Sequence, residues 1–285
     1  MRRFLLAVST GLGLMAAPLS ADATDDVRDA PETLACNGCE ALLELAAAQP
    51  TRDKDRARDV YRHPVETLLF FGVTPNMKVG EYAPSGGWYS RVLAPYLAAQ
   101  GHLTGLFFNP DIAPGGDRIP AQVASFPGEV VGWSGVKPEV ASALALKDIP
   151  DAEKGTYDRI VLFRMLHNMM NWNIADSEIK AMRTLLKPDG MIGIVAHRAK
   201  SDAPYSYSDG SKGYLRQDDV IHFMQVNGFE LVASSEINAN PKDSANWPGG
   251  VWTLPPTYAL KEQDRAKYQA IGESDRMTLL FRKRD

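Results

Sequence analysis

Lys78-Val79-Gly80-Glu81-Tyr82-Ala83-Pro84-Ser85-Gly86-Gly87-Trp88-Tyr89-Ser90-Arg91-Val92-Leu93 is the stretch on which the reading of this chain turns. Its first residues pattern as a short strand and Pro84 to Gly87 as a glycine turn. From Ser90 it reads as an amphipathic helix with Val92, Leu93, Tyr96 and Leu97 on one face. Glu81 closes the strand. A strand, an acid, a glycine pair and a helix start, in that order, suit a nucleotide-type ligand. Glycines let the ligand approach the backbone, helix N–H groups face it, and the carboxylate accepts hydrogen bonds. The same residues also suit a tight turn without a ligand, with Glu81 paired locally.

Outward from that stretch, strands alternate with helices. Strands are expected over 77–82, 103–108, 141–146, 158–163, 191–196, 229–237 and 276–282. Helices are expected over 40–48, 64–71, 90–100, 176–186 and 217–227. Glycines and prolines hide any period in 110–137, and the charged run 51–58 reads as a solvated helix face. Alternation of this kind predicts an α/β fold, a Rossmann-like seven-stranded, mainly parallel sheet with helices on both faces. No helical period separates the last two strands, which predicts a C-terminal antiparallel pair at one edge.

The chain has 285 residues, 45% hydrophobic and 23% charged, with a net charge of −4. That charge gives no basic surface for nucleic acid. Arg2 and Arg3, an apolar stretch over 4–17 and Ala21-Asp22-Ala23 read as an export signal ending at residue 23, an uncleaved anchor being the runner-up. The expected location is periplasmic or secreted, with no membrane span once the signal is removed. Residues 24–55 read as an extension carrying the C-x-x-C of Cys36 and Cys39, and 56–285 as the main domain. The cysteine pair suits a local disulfide, with redox or metal roles as alternatives; two cysteines alone make a poor metal site, and none is expected.

Seven strands ending in a hairpin are similar to the class I S-adenosylmethionine-dependent methyltransferase fold. Glu81 with Gly86-Gly87, Lys147-Asp148-Ile149-Pro150 before Tyr157-Asp158-Arg159-Ile160-Val161, and Leu185-Leu186-Lys187-Pro188-Asp189-Gly190-Met191 each resemble that family's motifs. Val60-Tyr61-Arg62-His63-Pro64, Phe163-Arg164-Met165-Leu166-His167-Asn168 and Ala270-Ile271-Gly272-Glu273-Ser274-Asp275-Arg276-Met277 resemble a predicted exported bacterial branch of it. The resemblance covers roughly residues 56–285. It implies S-adenosylmethionine as cofactor and a small-molecule acceptor of unknown identity. A non-catalytic exported binding protein that keeps the fold is the alternative, and a nicotinamide-dependent oxidoreductase is disfavoured by the lack of G-x-G-x-x-G. The chain departs from the family at Pro84-Ser85 in the turn, at Asn109 where an acid is usual, and at Asp148, which falls late after the third strand.

On this reading Glu81, Gly86, Gly87, Asn109, Asp148 and Arg164 are the expected cofactor-binding residues. His167 and Asn168, beyond the fourth strand, are the expected catalytic pair, because ligands of parallel sheets bind past the strands' C-terminal ends and histidine titrates near working pH. His197 is a weaker candidate, and His63 reads as a cap. Trp247 and Trp252, in the long irregular stretch 240–256, read as a substrate wall or as packing for that loop.

Overall fold

The computed structural model describes residues 36–284; the expected export signal and the segment 24–35 lie outside the described residues. In chain order the elements are α1 (Cys39–Ala47), α2 (Asp59–Arg62), α3 (Pro64–Phe70), β1 (Lys78–Tyr82), α4 (Ser90–Leu97), β2 (His102–Phe107), α5 (Ile119–Ser134), β3 (Ala141–Ala145), β4 (Tyr157–Phe163), α6 (Leu166–Asn171), α7 (Ala175–Leu185), β5 (Leu186–His197), α8 (Tyr205–Ser208), α9 (Gln217–Val226), β6 (Phe229–Ser235), α10 (Arg265–Ile271) and β7 (Arg276–Lys283). The seven strands form one sheet in the order β3-β2-β1-β4-β5-β7-β6. All pairs are parallel except those of β7, which runs antiparallel to both β5 and β6. The expected Rossmann-like fold with its antiparallel C-terminal strands is therefore what the chain adopts. β7 inserts between β5 and β6 instead of adding outside them.

Strand parity builds two cores. Val79, Leu103, Val161 and Val195 face α1, α3, α4 and α5. Tyr82, Leu106, Ile160, Leu162, Ile192 and Ile194 face α6, α7 and α9. Every second residue points the same way, so both sheet faces are apolar and both are covered by helices.

Several segments differ from their sequence reading, among them α10, which forms between the last two strands where no helix is expected. α5 forms although Pro127 and two glycines lie within it, because Phe126 and Val130, one turn apart, bury against β2 and β3. Gly105 makes the room: a methyl group there would lie 2.7 Å from the Phe126 ring. Tertiary packing outweighs propensity here. The run 51–58 is no solvated helix face. It makes 3₁₀ turns, and Arg52 is fully buried, donating to Ala47 O at 2.7 Å and to Asp59. α6 has no counterpart among the expected helices, and Leu166 and Met169 bury its apolar side.

The segment before β1 belongs to the body. Cys39, Leu43 and Ala46 of α1 are buried against α3 and α4, and Cys36 and Cys39 form a disulfide at the helix start. The guanidinium groups of Arg52 and Arg62 both lie over the Trp88 ring, 4.9 and 4.8 Å from its centre.

Candidate active site

The turn after β1 holds its shape through three left-handed residues at alternate positions, Ala83 (φ 49°), Ser85 (φ 51°) and Gly87 (φ 71°). Only the last is a glycine. Left-handed backbone costs a non-glycine residue about 1 kcal/mol, and such strain gathers at ligand sites. Gly87 has a second reason to be glycine: a methyl group there would overlap the Trp133 ring of α5. Gly86 faces open space, and its carbonyl accepts from Arg91, which also pairs with Asp55 at 2.5 Å.

Beside this turn, between the ends of β1 and β2, is a cleft of about 290 Å³ lined by Ala83, Ser85, Phe107, Phe108, Gln122, Ser125, Phe126 and Glu129. None of the expected cofactor-binding residues lines it. Glu81 is buried on the α4 side, where Ser90 Oγ donates to it at 2.6 Å. Burial pushes its carboxyl up to about 8, against the pull of the Ser90 bond and Arg91. Asn109 folds onto its own turn, its side-chain oxygen accepting from Asp111 N at 3.0 Å. Its backbone N–H donates to Glu178, which also accepts from Tyr82 O–H at 2.9 Å and so ties α7 to the ends of β1 and β2. Asp148 is exposed, with φ 49°.

A second set of groups gathers past β4 and β5. His167, on α6, is 4% exposed, and its Nδ1 is buried without a partner. Burial, reinforced by the Arg164 charge, brings its pKa down to about 4, so the ring is neutral at pH 7. His197, at the end of β5, lies 5.3 Å from it ring to ring, and its Nδ1 meets Ser274 Oγ at 2.5 Å. Burial and then the His167 charge hold His197 well below its ordinary value. Trp252 lies against His167, ring centres 5.9 Å apart and tilted edge to face. Trp247 instead packs the loop, donating to Asp243 at 2.7 Å. Asn168 is half-buried on the first turn of α6, its amide on Met165 Sδ at 3.2 Å.

Arg164, between β4 and α6, has φ 55° and a buried Nε without a partner. Burial, reinforced by the Arg276 charge and opposed by Glu273, brings its pKa down to about 10. Glu273 accepts from Arg58 at 2.7 Å, Arg62 at 3.0 Å and Arg276 at 3.2 Å. Sequence reading missed this group, because its members come from residues 58–62, 164 and 273–276. The visible signal was the charge-dense start of β7, Glu273-Ser274-Asp275-Arg276, which register sets beside His197. Among the described residues no cluster of three or more His, Cys, Asp or Glu is placed to hold a metal, and no helix is long and apolar enough to cross a membrane.

No family model matches the chain, and no curated protein matches it. Among solved structures it is similar to an S-adenosylmethionine-dependent methyltransferase from Aquifex aeolicus (13% identity, 86% of this chain and 98% of that one, TM-score 0.49). It is also similar to a 1,6-didemethyltoxoflavin-N1-methyltransferase from Burkholderia thailandensis with bound 1,6-didemethyltoxoflavin and S-adenosylhomocysteine (13%, 91% and 94%, 0.47). A third is a cyclopropane-fatty-acyl-phospholipid synthase-like protein from Lactobacillus casei (16%, 87% and 99%, 0.49).

Proposed function

We propose that this chain is an S-adenosylmethionine-dependent methyltransferase acting on a small molecule. The observation that carries the reading is the turn after β1. Left-handed residues recur at 83, 85 and 87, at the C-terminal end of the first strand, where the sheet order β3-β2-β1-β4-β5-β7-β6 reverses direction between β1 and β4. Parallel sheets bind ligands past their strand ends at such a reversal. The residues present fit the cofactor. The strained turn brings bare backbone to the rim of the cleft, Phe107 and Phe108 offer apolar walls, and Gln122 and Glu129 offer polar groups. The cofactor supplies an electrophilic methyl group on a sulfonium. The protein's task is then to align it with an acceptor and exclude water.

His167 and Asn168 are the proposed acceptor-facing pair. A neutral imidazole of low proton affinity is a weak base, so it suits an acceptor whose own proton is acidic. Export, the reading of residues 1–23, is likewise a proposal, and the Cys36–Cys39 disulfide agrees with an oxidising compartment.

Calorimetric titration of the folded protein with S-adenosylmethionine and S-adenosylhomocysteine tests the reading. Binding in the micromolar range is expected. Ser125, exposed on α5 at the cleft, offers a control: Ser125→Trp is expected to leave the unfolding temperature unchanged and weaken both ligands at least tenfold. Absence of heat with either ligand in the folded parent protein sinks the reading in favour of a non-catalytic binding protein.

A further inference from the structure

Buried arginines in this protein otherwise find acceptors. Arg159, 4% exposed, donates to Phe71 O, Asp158 O and Gly72 O. Arg52 donates to Ala47 O and Asp59. Arg164 is the exception: no ion pair or hydrogen bond holds its guanidinium among the described residues, and its Nε is buried. Its neighbours compound the imbalance. Arg58, Arg62 and Arg276 share the single carboxylate Glu273, and each keeps one buried nitrogen without a partner, Nη2 of Arg58 and Arg62 and Nε of Arg276. Asp275, the next carboxylate along, is engaged by Arg198.

Three guanidinium groups on one carboxylate, with the unpaired Arg164 near enough to feel Glu273, Arg276 and Arg58, leave an excess of positive charge that is only partly in water. That arrangement is expensive unless an anion completes it. Arg62, Arg276 and Glu273 are 1%, 2% and 4% exposed, whereas Arg58 and Arg164 are half-buried; of these two only Arg164 lacks a carboxylate, so it is the member left to hold an incoming anion. It sits between the end of β4 and His167, on the acceptor side of the proposed site. A guanidinium fork matches the two oxygens of a carboxylate or phosphate.

We propose that Arg164, backed by Arg58 and Arg276, captures a carboxylate or phosphate group of the methyl acceptor, which is therefore a small oxyanion-bearing molecule. Assignment of the anion to the acceptor rests on the methyltransferase reading; the oxyanion site does not.

Inorganic phosphate is the probe, added at constant ionic strength against chloride, with thermal unfolding as the readout. The unfolding temperature of the parent protein is expected to rise with millimolar phosphate beyond any change in chloride. Arg164→Met, which removes an unpaired buried charge, is expected to match or exceed the parent's stability in chloride and to ignore phosphate. Arg164→Lys, which keeps the charge without the fork, is expected to keep part of the response. A less stable Arg164→Met in chloride makes the arginine a structural one and overturns the proposal. So does a parent protein blind to phosphate. Titration of S-adenosylmethionine into the parent and Arg164→Met separates the two readings. Equal binding supports the acceptor assignment, and loss only in the variant gives Arg164 to the cofactor and overturns it. No binding in either, with the phosphate response intact, fails the methyltransferase reading and leaves the oxyanion site standing.

Discussion

Burial drives Glu81 and His167 to the same uncharged state from opposite sides. His167 is held near 4 in the fold against 6.5 when unfolded, and His197 is also depressed. Their contribution is complete above pH 6.5 and is lost as pH falls toward 4, on the order of 3 kcal/mol for His167. Glu81, raised to about 8, does the reverse: its contribution is complete below pH 4.5 and is lost as pH rises through 8. Urea unfolding from pH 4 to 9 should therefore fall off at both ends. His167→Asn is expected to flatten the acid limb in part, leaving the His197 share. Glu81→Gln, a neutral side chain that still accepts from Ser90, is expected to flatten the alkaline limb. Unchanged limbs in both variants would contradict these assignments. The histidines were legible as candidates because they follow apolar strand runs. Their neutrality was not, since it comes from the loop segments around 214 and 252 that close over them.

Between elements, the contact of the β1 turn with α5 is the tightest test of the site's architecture. Gly87→Ala puts a side chain at φ 71° and into the Trp133 ring. A cost of about 2–4 kcal/mol is expected, strain and overlap together, measured by urea unfolding. The pair Gly87→Ala with Trp133→Ala should recover the overlap share, and strict additivity would show that the two do not meet. The strands around the turn could be read from the sequence because β4 carries the apolar run Ile160 to Phe163 and β1 leads directly into the glycine pair. α5 could not, since Phe126 and Val130 are anchored by a gap at Gly105 on another strand, which no local window contains. The turn itself was half legible. Gly86-Gly87 announced it, but the left-handed residues are Ala83, Ser85 and Gly87, and Ala and Ser do not advertise that backbone.

Across the whole molecule, Glu273 pins the chain's beginning to its end. It holds Arg58 and Arg62 from before β1 and Arg276 at the start of β7. Glu273→Gln keeps the shape and removes the only negative charge those three share. A loss of about 3–5 kcal/mol is expected in the unfolding free energy, because the arginines are then buried without a counter-charge. A loss below about 1 kcal/mol would mean that water already neutralises them. The insertion of β7 between β5 and β6 has a temporal meaning as well. A chain emerging from a ribosome or a translocation pore presents β5 and β6 long before residues 276–283 arrive. Until then both strands keep a bare edge where β7 will lie, and Glu273 is absent from Arg58 and Arg62. Closure of the sheet and neutralisation of the arginines thus fall at the same late moment of biogenesis. A nascent chain stalled before that moment has a sticky edge and an uncompensated charge, and it is the form a quality-control chaperone or protease would recognise.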